Sequence, residues 1–131
     1  MRGRRAVAGV LAILGLWSCL SAGPKLKVDN LIQHWVRSYE EEQPGQAVEI
    51  FRPASLQEFP PSRFRMAYKF DRSGSCEFYV LSPDDAHHFD SCTWSVIESD
   101  KPWLQIKQAG AATNFKIVEL SGELLQLEPV E

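Results

Sequence analysis

No stretch of this chain stays apolar long enough to cross a bilayer, which takes about 20 residues. No glycine-rich loop is shaped to cradle a phosphate, and no serine sits in a G-x-S-x-G elbow. Internal repeats and low-complexity tracts are absent. Like charge never runs beyond Glu40-Glu41-Glu42, which reads as a solvated strand end. Nucleotide hydrolysis and α/β-hydrolase chemistry therefore lack their usual signatures, and no cofactor motif stands in for them. The chain reads as non-enzymatic.

Cysteine is scarce, with three in 131 residues, and an odd count is awkward for an exported protein. Export is nonetheless what the N-terminus indicates. Arg2, Arg4 and Arg5 precede an apolar run from Ala6 to Trp17, and Ser21-Ala22-Gly23 follow. A basic start, a short apolar core and small residues at the exit make residues 1–23 a secretory signal segment. Leu16-Trp17-Ser18-Cys19 has the layout of a bacterial lipobox, which makes Cys19 a lipidation site and the chain a periplasmic or outer-membrane-anchored lipoprotein. The rival is plain cleavage after Ser21 or Ala22 and secretion. Either route leaves the even pair Cys76 and Cys92.

Roughly 108 to 112 residues remain, enough for one domain: a linker over 24–30 and a single domain over 31–128. Without the three N-terminal arginines, eleven Lys and Arg face seventeen Asp and Glu, a balance of −6. That charge argues against nucleic acid and against an anionic membrane face as partners.

The patterning is of period two. Phe64, Met66, Tyr68 and Phe70 alternate with mostly charged neighbours, predicting a half-buried strand over Arg63–Phe70 and a turn at Asp71-Arg72-Ser73-Gly74. Ser75–Leu81, Ser91–Ile97, Trp103–Lys107, Asn114–Leu120 and Glu123–Glu128 read as further strands, punctuated at Gly110 and at Ser121-Gly122. Ala47–Phe51 is another, and Leu31–Tyr39 fits a helix or a strand. Three prolines make Arg52–Ser62 a stiff connection rather than a central strand. The fold class is all-β: an antiparallel up-and-down meander, with about eight strands closing into a small barrel.

Positions 76 and 92 are symmetric about Asp84, inside the turn-forming Pro83-Asp84-Asp85. A hairpin folded there sets Cys76 opposite Cys92 at disulfide spacing. The alternative is two buried thiols on a core face. His87 and His88 with Asp84, Asp85 and Asp90 form the one metal-like cluster, but adjacent residues of an extended segment point to opposite sides, so a solvated loop tip is favoured and no metal is assigned. His34 stands alone beside Trp35 as a rim or core histidine. Trp35, Phe64, Met66, Tyr68, Phe78 and Trp94 are the candidate lining of a cavity for a small apolar ligand. They equally fill the interior of a narrow barrel, and at this chain length the packed interior is favoured.

Several segments in order resemble small bacterial lipocalin-like proteins of the cell envelope. They are Trp35-Val36-Arg37-Ser38-Tyr39-Glu40-Glu41, Glu49-Ile50-Phe51-Arg52-Pro53, Phe59-Pro60-Pro61-Ser62-Arg63-Phe64-Arg65 and Cys92-Thr93-Trp94-Ser95, followed by Leu104-Gln105-Ile106, Ile117-Val118-Glu119-Leu120 and Leu125-Gln126-Leu127. Gln33 stands where the lipocalin-type G-x-W has glycine. The resemblance implies a strand at Leu31–Tyr39, a lipocalin-like barrel with its first tryptophan plugging one end, and a non-enzymatic role. That role is in the cell envelope and often has no identified ligand; the expectation for this chain is a binding or scaffolding module, with a small apolar ligand as one candidate occupant. The competing expectation is a packed barrel whose loops Arg52–Ser62 and Ser82–Asp90 meet an envelope protein. Membrane contact is expected only through an anchor at Cys19.

Overall fold

The computed structural model describes residues 26–56, 58–83 and 86–130. Eight antiparallel strands close into a barrel: β1 (His34–Arg37), β2 (Glu49–Pro53), β3 (Ala67–Phe70), β4 (Ser75–Val80), β5 (His88–Ile97), β6 (Trp103–Gln108), β7 (Ala111–Leu120) and β8 (Leu125–Val130). The eight-stranded all-β barrel expected from the patterning is thus the observed fold. From β3 to β8 each strand pairs with its successor. The first hairpin is inserted so that β1 lies between β2 and β3, while β2 closes the wall against β8.

That insertion has a geometric consequence. β2 and β3 both run antiparallel to β1, so they run parallel to each other. The chain between them must return from one end of the barrel to the other, and residues 54–56 and 58–66 are the described parts of that crossover. The rim where β1 begins, with the 71–74, 98–102 and 121–124 turns, is called here the near rim. The opposite one, with residues 38–48, 81–83, 86–87 and 109–110, is the far rim.

Side chains alternate between wall and interior as strand geometry demands. Trp35, Phe51, Tyr68, Phe70, Leu104, Ile106, Phe115, Ile117, Leu125 and Leu127 fill the inside. On β5 the opposite set, Ser91, Thr93, Ser95 and Ile97, is exposed. The turn at Ala109-Gly110 places both residues at positive φ, 32° and 81°; glycine takes this without strain, and the tight β6–β7 hairpin needs it.

Several boundaries differ from expectation, each for a physical reason. Only Ala67–Phe70 of the Arg63–Phe70 segment pairs as strand. Phe64 lies before it, held off the ladder by the crossover, and so does not share the inward face of Tyr68 and Phe70. Arg52 and Pro53 belong to β2, where Pro53 ends the strand opposite Trp35 and Ala54 N–H supplies the next bond, to the His34 carbonyl. Leu31–Tyr39 divides into a 3-10 turn (Val28–Leu31), β1, and a second 3-10 turn (Tyr39–Glu41). Within the segment expected as a linker over 24–30, Leu26 lies against the core and Val28–Asn30 form most of the first 3-10 turn, ahead of fully buried Leu31. His88 pairs with Val80, so β5 begins inside the loop expected over Ser82–Asp90.

Candidate functional site

The cysteine hairpin has the expected register. β4 and β5 pair from Ser75↔Thr93 through Cys76↔Cys92 to Val80↔His88, all symmetric about position 84. Cys76 and Cys92 form a disulfide with Cα atoms 4.8 Å apart, both buried in the interior face. Cys19 lies outside the described residues, as do Asp84 and Asp85 of the hairpin turn.

Of the six residues expected to line a ligand cavity, Trp35 is fully buried. Its indole N–H donates to the Leu31 carbonyl at 2.9 Å, so ring and 3-10 turn together close the near end. Gln33 tightens that closure, its amide donating to the Asn30 and Gly122 carbonyls at 3.0 and 3.1 Å. The carboxamide therefore bridges the N-terminal turn to the β7–β8 turn, a link that glycine at position 33 cannot make. Tyr68 is buried against Phe51 and Phe70, and its hydroxyl is pushed up from the ordinary range by burial and then by Glu49. Met66, Phe78 and Trp94 are half-buried against the same core. Trp94 meets Phe70 edge-on at 5.6 Å and donates its indole N–H to the Asp71 carbonyl at 2.9 Å. Phe64 belongs elsewhere, stacked on Tyr79 at 5.4 Å with planes 7° apart. Tyr79 alternates with inward Cys76 and Phe78, so this stack is on the outer wall.

The far end of the interior carries charge. Arg37 and Glu49 share the inward sides of β1 and β2 with Trp35 and Phe51. The Arg37 guanidinium holds Glu42 in a two-bond fork at 2.7 and 2.9 Å, and lies 3.7 Å from Glu49. Burial raises the Glu49 carboxyl, partly countered by Arg37. Glu42, against the cost of its own burial, is held low by Arg37 and by the Ile50 N–H.

Glu40-Glu41-Glu42 is therefore no idle solvated strand end. Its turn fans the three carboxylates to three different arginines: Glu40 to Arg65, Glu41 to Arg52 and Glu42 to Arg37. Each pairing is two-pronged, the geometry in which guanidinium and carboxylate match best. Arg65 also donates to the Arg37 and Pro60 carbonyls, so one side chain ties the crossover to β1. The Arg65 fork lowers the Glu40 carboxyl to about 2. Tyr39 lies beneath Arg37 and Arg65, at 4.6 and 5.7 Å, and Phe59 lies 5.2 Å from Arg65. In sequence only the EEE run hinted at this clamp, since its arginines come from three separate segments.

The clamp is not uniform. Arg37→Ala leaves Glu42 and Glu49 half-buried without their cation, so a loss of about 1–3 kcal/mol is expected in urea unfolding. Arg52→Ala acts at a more exposed pair and should cost under about 1 kcal/mol.

The outer wall between β1 and β5 carries a second cluster. His34 meets Phe89 edge-on, Phe89 tilts against Tyr79, and His87 stands edge-on to both Tyr79 and Phe64. The Lys69 ammonium sits 4.1 Å from the Phe89 ring centre. Among the described residues, His34 Nε2 and His87 Nδ1 are buried without a hydrogen-bond partner. His88 pairs instead with Asp90 at 3.1 Å, so the two adjacent histidines diverge as an extended segment requires. No group of three His, Cys, Asp or Glu among the described residues converges on a metal position.

Burial, then Lys69, lowers His34, with Glu77 opposing. A histidine whose folded value lies below its unfolded value contributes in full above the unfolded value. That contribution falls as pH drops through about 6.5 toward the folded value. Stability should therefore decline as pH falls below about 6.5, before Glu40, Glu41 and Glu42 begin to lose their pairs. His34→Phe should flatten that interval in unfolding measurements taken across the pH range; an unchanged slope would assign it to another group.

Concavities lie at the surface among the described residues. One, of about 910 Å³, lies at the near rim between the 98–102 turn and the end of β7. Another, of about 510 Å³, lies between β5 and the β6–β7 hairpin tip. None of the six expected ligand residues lines either. Comparison with known protein families, with curated proteins and with solved structures finds no match.

Proposed function

We propose that this chain is an exported, lipid-anchored, non-enzymatic envelope protein whose packed barrel presents its far rim to another protein. What carries the reading is an interior stoppered at both ends, by Leu31 and Trp35 at one and by Arg37, Glu42 and Glu49 at the other. Between them, Phe51, Tyr68, Phe70, Leu104, Ile106, Phe115, Leu125 and Leu127 are buried in one core, which supports a packed interior over a ligand cavity. The far rim offers Tyr39 and Phe59 held against Arg65, the aromatic and arginine chemistry that anchors protein interfaces. An interior disulfide accords with an oxidising compartment.

Titration with alkyl-chain and aromatic ligands tests the packed barrel. Tryptophan emission and thermal midpoint should stay put, because Trp35 has no free face. A saturable emission shift with a raised midpoint would instead restore a ligand carrier.

A further inference from the structure

Apolar side chains face outward from three adjoining strands at the near rim. Ile97 of β5 is 53% exposed and lies opposite Trp103 of β6, which lies opposite Lys116 of β7. Val118, 49% exposed, is the extra residue where the β7–β8 register shifts between Ile117 and Glu119. The bulge turns this valine out of the wall. The 910 Å³ concavity adjoins the patch, and Leu56 is exposed on the same rim. Among the described residues, Ile97 and Val118 thus stand about half exposed on neighbouring parts of one end of the wall.

The chain arrives at that same end. Leu26 lines the concavity, and Cys19 is seven residues upstream of it. Seven residues reach at most about 25 Å, whereas ten-residue strands such as β5 and β7 span about 33 Å. An acylated Cys19 therefore keeps the near rim within a short tether of the bilayer and lets the far rim point away. The tether also raises the local concentration of lipid, so a modest apolar contact suffices.

We infer that the near rim around Ile97, Trp103 and Val118 is a membrane-contact surface for zwitterionic phospholipid, resting on the anchored reading above. Around the concavity Glu98, Asp100 and Glu119 outnumber Lys101 and Lys116, which favours headgroups of no net charge over an anionic surface. Contact here leaves Tyr39 and Phe59, at the opposite rim, clear of the bilayer for a protein partner.

The test uses mature protein from its own host, with intact mass read first. A diacylglyceryl adduct on Cys19 supports the anchor; a mass without it overturns anchor and contact together. Lipidated protein is then placed in phosphatidylcholine vesicles and in detergent micelles, and amide hydrogen exchange is compared. Several-fold slower exchange over 97–103 and 117–120 on vesicles, with 39–46 and 108–111 unchanged, is the expected result. Ile97→Lys with Val118→Lys should abolish that difference while the lipid mass and the thermal midpoint persist. Equal exchange at both rims, or protection at the far rim, overturns the contact and leaves the anchor standing. Protection that grows with protein concentration without vesicles overturns it in favour of a second copy.

Discussion

Trp35→Ala should remove about 3–5 kcal/mol, a large share of the 5–15 kcal/mol that stabilises a domain of this size. The ring is completely buried, so truncation opens a cavity that neighbours from several strands cannot all collapse to fill. It also strips the Leu31 carbonyl of its indole donor, loosening the 3-10 turn that closes the near end. Trp35→Phe separates the two effects. It keeps most of the apolar volume and loses the hydrogen bond, for an expected cost of about 1–3 kcal/mol. Urea unfolding of both variants checks this. Equal losses would mean that the bond, and not the packing, carries the site.

Opening the Cys76–Cys92 disulfide is the second large effect. The two positions are separated by 16 residues, and closing such a loop in the unfolded chain is worth about 3 kcal/mol in the chain-entropy model. At roughly 4–8 °C per kcal/mol for a domain of this length, Cys76→Ser with Cys92→Ser should lower the midpoint by well over 10 °C. The same fall should follow reduction of the wild type, and the double variant should ignore the reductant. A denatured wild-type chain that reacts with two equivalents of thiol reagent without prior reduction would remove the staple altogether. The β4–β5 pairing should survive the loss, since the bond sits within a ladder that continues to Val80↔His88.

The cysteine pairing was legible in the sequence because a hairpin is a local object. Its register follows from a turn and a count, and alternation then sets both sulfurs on the inward face. The same local logic located β4 to β8, whose alternating side chains and Gly or Ser-Gly turns need no distant partner to be recognised. It failed where distant chain intervened. Phe64 continues the alternation of Met66, Tyr68 and Phe70 in sequence, yet the crossover carries it to the outer wall and onto Tyr79. The Glu40–Glu42 run looked like solvated charge because Arg37, Arg52 and Arg65 reach it from two strands and the crossover. Neither outcome is encoded within reach of a turn.

The apolar alternation sufficed to establish an antiparallel all-β domain with a paired-cysteine hairpin, because strand period and turn chemistry act over a few residues. The position of β1 between β2 and β3, the parallel relation of β2 and β3, and the crossover that these require were settled by three-dimensional packing. So were the two stoppers that fill the barrel. Ladder pairing depends on which edges meet after collapse, and an ion pair depends on which side chains then share a rim. A linear pattern carries neither kind of proximity.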